Sequence, residues 1–283
     1  SYVIALLVSR DLKSNLTNEL TNTTAMRRNH FSQEQEKREG QYSFCQEVYI
    51  NGDEMSQINI NTMENDIVIK NITSPSSVVL VCEHASHHIP ASFDALGLSQ
   101  NNRKSHAVWD IGALAVAEQL SKILGAALVA SEVSRLVYDC NRPPTSSDAI
   151  PSRSEIIDVP GNRNLSQLQR DERAEEFYSP FKSELSNTIK QTKNPVLITI
   201  HSFTPTFHGK TRSVEIGILH DTDTRLANAM LAIAEKNTTA DVRRNEPYGP
   251  EHGVTHTLKE HAIKEKYLNV MLEIRNDLIS TLE

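Results

Sequence analysis

No stretch of this 283-residue chain approaches the roughly 18 consecutive apolar residues of a membrane-spanning helix. Its first apolar run, Tyr2 to Val8, is short and lacks the basic flank and cleavage site of a secretory signal. No membrane partner is expected, and a cytoplasmic location is. Cysteine is scarce: Cys45, Cys82 and Cys140 are odd in number and far apart, which argues against a disulfide framework and for a reducing compartment. A basic excess is also missing, since 29 Lys and Arg stand against 36 Asp and Glu for a net charge of −7, which excludes the electrostatic footprint of a nucleic-acid binder. There is no internal repeat, no G-x-S-x-G nucleophile elbow around Ser202, and no signature of oligomeric state.

What remains is a chain of two characters. Residues 1–62 are polar, with N-L-T-N-E-L-T-N-T-T and R-R-N-H-F-S-Q-E-Q-E-K-R-E-G, a composition that cannot supply a core face and reads as a disordered extension with at most one short strand at Phe44 to Ile50. The character changes at Met63, which suggests a natural start there. Residues 63–283 alternate strand and helix patterns and are long enough to bury a substantial core.

Within this domain, strands are expected at Ile67 to Ile72, Val78 to Val81, Ala126 to Ala130, Leu136 to Tyr138, Val196 to Ile200, Ser213 to Leu219 and Val270 to Ile274. The period of apolar residues predicts a helix over Asp110 to Leu124 ended by Gly125, a long charged helix over Leu165 to Lys190 interrupted near Pro180, and another over Thr222 to Lys236. Residues 150–164 read as irregular. Such alternation favours a three-layer α/β/α sandwich with a mixed, largely parallel sheet.

The chain is organised around V-V-L-V-C-E-H-A-S-H-H-I-P, where a buried strand ends in Glu83, His84, His87 and His88. In open α/β sheets ligands bind outside the carboxyl ends of strands. A second strand far along the chain, V-L-I-T-I, again delivers a histidine, His201, at its carboxyl end. Two such ends can converge on one metal ion.

The motifs C-E-H-A-S-H-H-I-P, W-D-I-G-A, S-R-L-V-Y-D-C-N-R-P, I-H-S-F-T-P and L-E-I-R-N-D-L-I, in this order from about Asp66 to Leu282, resemble the N-formylglutamate amidohydrolase family. The resemblance implies a phosphorylase/hydrolase-like α/β/α fold shared with zinc carboxypeptidases and aspartoacylases. It also implies zinc-dependent cleavage of a small N-acyl amino acid. Catalytic zinc wants three N or O ligands and an open position, and His84, Asp110 and His201 fit that count. Asp110 competes with itself as a helix cap, and His201 with a satisfied core histidine. His87, His88 and His256 are further candidates as alternative ligands or as groups that orient one, and the resemblance extends to the segment of His256 and His261, one of which is placed to polarise the scissile carbonyl.

A base must take a proton from water and return it to the leaving amine. Glu273, inside a buried strand, is the first choice and Glu215 the second; the competing reading of Glu273 is an ion pair with Arg275. Asn141 and Arg142 are expected to hold the substrate carboxylate, since a guanidinium fork matches a carboxylate, with Arg275 available for a second one. Cys82 and Cys140 show no thiolate-activating pattern. The alternative to an enzyme is a metal-retaining binding protein on the same fold.

Overall fold

The computed structural model describes residues 67–71 and 75–280; the extension 1–62, the strand expected at Phe44 to Ile50 and the start expected at Met63 lie outside the described residues. Strands β1 (Ile67–Lys70) and β2 (Val78–Cys82) are followed by helix α1 (Ala113–Leu124) and β3 (Ala127–Ser131). A small hairpin, β4 (Arg153–Ser154) and β5 (Ile157–Asp158), precedes α2 (Gln167–Arg173), a π turn over Ala174–Tyr178 and α3 (Ser179–Gln191). Then come β6 (Val196–Phe203), a second hairpin of β7 (Thr206–Phe207) and β8 (Lys210–Thr211), β9 (Ile216–Leu219), α4 (Arg225–Asn237), β10 (Val242–Arg244), the short α5 (His256–Leu258) and β11 (Leu268–Arg275).

Seven strands form one sheet in the order β1-β3-β2-β6-β11-β9-β10. The four central strands β3, β2, β6 and β11 run parallel, while β1 and β9 are antiparallel to their inner neighbours. The fold is the expected α/β/α class. Helices α1 and α3 pack on β2 and β3, and α4 on β9, β10 and β11. Because helices cover the sheet, its central strands are apolar without alternation: every residue of β6 is buried, as is β11 through Ile274.

Local differences from the sequence reading have local causes. Helix α1 begins at Ala113, not Asp110, because Gly112 in front of it takes a left-handed φ of 79° and the Asp110 side chain makes no cap. Gly125, also left-handed, closes α1 as expected. Leu136 to Tyr138 is not a strand: the amides of Val137 and Tyr138 both donate to the Ser134 carbonyl, which curls the run into a turn. The helix expected to break near Pro180 does not break. Its register shifts through the π turn, and Pro180 falls in the first turn of α3. Glu215 lies just before β9 rather than inside it.

The register places Gly217 of β9 and His201 of β6 on either side of Glu273 of β11. A Cβ at Gly217 would stand 1.9 Å from the Glu246 carbonyl oxygen, so the strand can pass only without a side chain. Gly217→Ala is expected to destabilise the fold by about 1–3 kcal/mol, the cost of forcing extra volume into a packed core, seen as a lower urea midpoint. An unchanged midpoint would show that the 246–248 segment yields freely.

Candidate active site

Three side chains meet at the carboxyl ends of β2 and β6. His84 is the second residue after β2, His201 is the sixth residue of β6, and Asp110 is brought in from the loop before α1 by its backbone amide, which donates to the His84 carbonyl at 2.9 Å. All three are buried. His84 Nδ1 and His201 Nδ1 are 3.2 Å apart, and Asp110 Oδ2 lies 3.2 Å from the first and 3.0 Å from the second. The Ser202 amide also donates to this oxygen, at 3.3 Å.

The outer nitrogens decide what this triangle can do. His84 Nε2 is 2.8 Å from Asp139 Oδ1, and His201 Nε2 is 3.1 Å from Glu83 Oε2. An ionised carboxylate only accepts, so Asp139 holds a hydrogen on His84 Nε2 and turns its Nδ1 lone pair inward, while the Glu83 charge beside His201 Nε2, close but outside hydrogen-bond geometry, favours the same tautomer there. Two imidazole lone pairs and a carboxylate oxygen then converge on one point. This donor set fits a divalent metal, and the three atoms lie within the spacing that one ion can bridge. Without a cation, protons must relieve the crowding. Burial opposes charge on His201, yet Glu83 and Asp110 outweigh it and hold the imidazole well above its ordinary value. For Asp110 and Asp139 burial works against ionisation, but His84 and the other cations around them hold both well below the usual carboxylate range. Arg135 braces both, with Nη1 3.4 Å from Asp110 Oδ1 and Nη2 2.9 Å from Asp139 Oδ2.

The triangle opens on a cavity of about 250 Å³ whose wall includes Glu273, Arg135, Asn141, Arg142, Tyr248 and His252. Glu273 sits beside His201 in the parallel β6–β11 register, so both side chains leave the same face. Burial pushes its carboxyl up to about 7, against the lowering influence of His201, and its Oε2 is a buried atom without a hydrogen-bond partner among the described residues. The Glu273–Arg275 ion pair does not form. Arg275 pairs instead with Asp277 at 2.8 Å and Glu215 at 3.2 Å, and neither Arg275 nor Glu215 lines the cavity.

Asn141 lines the cavity, but both ends of its amide are engaged by protein: Nδ2 donates to the Val254 carbonyl at 2.6 Å, and Oδ1 accepts from the Thr257 amide and hydroxyl. It pins the 254–257 segment. Arg142 gives one nitrogen, Nη1, to the carbonyls of Asn141 and Gly253, and its fork lies on the cavity wall. His87 lies against Trp109 in a tilted ring contact with centroids 5.0 Å apart and lines a separate cavity with His88, so neither stands with the three ligand candidates. His256 bonds the Tyr178 hydroxyl at 2.8 Å and does not line the site. Burial pushes the Cys82 and Cys140 thiols well above their ordinary values, as suits packed, inert residues.

A parallel-centred sheet that brings buried, metal-competent ligands and a raised-pKa carboxylate to the mouth of one small cavity defines the class: an enzyme of α/β fold with a candidate site for metal-assisted hydrolysis. The chain belongs to the N-formylglutamate amidohydrolase family, whose family model matches residues 76–280. A gene product from Agrobacterium tumefaciens, known as a crystal structure, is 53% identical over 76% of this chain and 86% of its own, with a TM-score of 0.74. The crystal structure of N-formylglutamate amidohydrolase from Ralstonia eutropha JMP134 shares the fold at 16% identity, TM-score 0.53, over 77% of this chain and 89% of its own. No curated protein sequence matches the chain.

Proposed function

We propose that this chain is a metal-dependent amidohydrolase that cleaves the amide of an N-formyl or other short N-acyl amino acid, with N-formylglutamate, split to formate and glutamate, as the reference substrate. The observation that carries the reading is the inward convergence of three lone-pair donors, each held by a partner of its own, beside a carboxyl that titrates near neutrality.

His84, Asp110 and His201 would hold the metal, most simply zinc, which accepts mixed nitrogen and oxygen ligands and leaves a position open. When bound, such an ion polarises a carbonyl and makes water a nucleophile at neutral pH. The chain's own residues do the rest. Glu83 and Asp139 keep the two imidazoles in the tautomer that presents Nδ1. The Arg142 fork receives the α-carboxylate and so fixes the acyl group over the triangle. Glu273 takes one proton from the attacking water and returns it to the amide nitrogen as the C–N bond breaks, releasing the acyl acid and a free amino acid.

The test is to measure metal content together with formate and amino-acid release on the full chain, before and after chelation. Stoichiometric metal with release that chelation stops and metal restores is the expected result. Metal without release from any N-formyl or N-acetyl amino acid would leave a metal-retaining binding protein on the same fold and end the hydrolase reading.

A further inference from the structure

The second cavity, of about 340 Å³, has charge of one sign on its wall. His87, His88, Arg103 and Lys104 stand there with Ser86 and Gln100, and no Asp or Glu does. The active-site wall, by contrast, mixes Arg135 and Arg142 with Asp110, Glu155 and Glu273. In a chain of net charge −7, a concavity that holds cations and no acid is a local attractor for anions. Arg103 and Lys104 come from one 3₁₀ turn, Asn102–Lys104, and neither has a carboxylate partner among the described residues. Other arginines of this protein do find an acid: Arg153, Arg163, Arg225, Arg243 and Arg275 each pair with one.

The uncharged polar groups of the wall add donors. Ser86 Oγ accepts from the His88 amide at 3.0 Å, which leaves the hydroxyl hydrogen to give, and the Gln100 amide brings an NH₂ group. A guanidinium fork, an ammonium and a hydroxyl without an acid suit a compact dianion, and a phosphate group carries close to two charges at neutral pH on three accepting oxygens. A single carboxylate would leave one cation unneutralised, and a free amino acid would bring an ammonium that meets no acid. The wall is also held in an unusual shape. Asp94, Ala95 and Leu96 are consecutive left-handed residues with φ of 46°, 52° and 54°, and Ala95 is on the wall. Such a backbone persists only where its surroundings impose it, and it gathers at ligand clamps. Here it is fixed by the buried Leu96 side chain and by the Leu98 amide, which donates to the Ala95 carbonyl at 3.0 Å.

We propose that this cavity is a binding site for the phosphate group of a small molecule, held by Arg103, Lys104 and Ser86 and sharing no wall residue with the active-site cavity. Two short paths tie it to the metal triangle. His87 lies against Trp109, and Trp109 precedes Asp110. The Ser134 amide donates to the His88 carbonyl at 2.7 Å, and Arg135, the next residue, braces Asp110 and Asp139. An occupant therefore rests against the segment that links both paths, and Trp109, the single tryptophan of the chain, reports on it. Because Arg103 and Lys104 are exposed, binding is screened by salt.

The experiment titrates the full chain with inorganic phosphate and with glycerol 3-phosphate, following Trp109 emission and the heat of binding at low and high salt. The expected result is a saturable change, weaker at high salt, with an affinity about tenfold or more lower in Arg103→Gln/Lys104→Gln, the worth of one charge-assisted hydrogen bond. Arg103→Lys keeps the charge and should retain most of the affinity, and an unchanged urea midpoint of the double variant separates lost binding from lost folding. The tighter of the two phosphates identifies the source as free or ester-bound, and either supports the site. Absence of saturable binding overturns the proposal. So does binding that the double variant leaves intact, as phosphate held at the metal triangle or by Arg142 would be, and so does tighter capture of N-formylglutamate than of either phosphate by Arg103 and Lys104. The hydrolase reading stands or falls separately, on formate release.

Discussion

Glu273→Gln will hold its metal and its fold while turnover drops on the order of 10²–10⁴-fold, the range that a positioned acid–base group supplies. The amide matches the carboxyl in size and removes only the ability to carry a proton away from water. Burial raises the Glu273 carboxyl to about 7 in the metal-free site, and a bound cation moves it down, since a nearby positive charge favours the carboxylate; wild-type kcat/KM is therefore expected to fall on an acid limb whose midpoint lies below about 7. The variant's residual rate should lack that limb. Stability supplies a second check. The folded pKa of Glu273 is raised above its unfolded value, so its contribution is fully present below the unfolded pKa and is lost as pH rises through the folded one. Above pH 7 the metal-free Glu273→Gln protein should therefore be at least as stable as wild type in urea. Normal turnover by the variant would show that another group moves the proton.

Asp110→Asn is expected to cost the protein its stoichiometric metal after dialysis, with activity lost in parallel and recovered in part at high metal concentration. The substitution keeps the shape but replaces a charged oxygen that both imidazoles approach, at 3.2 and 3.0 Å, by a weaker neutral one. The Asp110 amide still donates to the His84 carbonyl, so the loop before α1 should stay in place. Elemental analysis against protein concentration reads the outcome. One metal per chain with full activity would mean that His84, Asp110 and His201 are not the ligand set.

The parts of this fold that could be read from the sequence are those whose causes are local. Val78–Cys82, Val196–Phe203 and Leu268–Arg275 are apolar over most of their length because they are buried on both faces, and the apolar stretches at Val78 to Val81, Val196 to Ile200 and Val270 to Ile274 mark them as central strands. The edge strand Val242–Arg244 carries two arginines and the hairpin strands have two residues each, so neither has a period to detect. The converging His84, Asp110 and His201 were legible as residues of the right kind at the ends of elements. Their geometry was not, because it depends on strand order: β2 and β6 are neighbours although more than a hundred residues separate them. The same holds for Glu83 and Asp139. Each looks like an ordinary acid in sequence and becomes meaningful only against the far nitrogen of an imidazole delivered by another segment. Arg275 illustrates the reverse. Alternation along β11 puts it on the side of Glu273, but the approach of Glu215 from the chain before β9 captures it. Asn141 likewise gives no sign in D-C-N-R that its Oδ1 and one Nδ2 hydrogen are engaged by a segment more than a hundred residues away.

The close packing of Nδ1, Nδ1 and Oδ2 also makes loading an ion exchange. In the metal-free protein the imidazoles of His84 and His201 are held above their ordinary values, against burial, by the carboxylates around them, so this small volume favours protons. A divalent ion can enter only as those protons leave. Metal occupancy therefore competes with acidity at the same three atoms, and an acidic buffer would strip the protein as a chelator does, without unfolding being required.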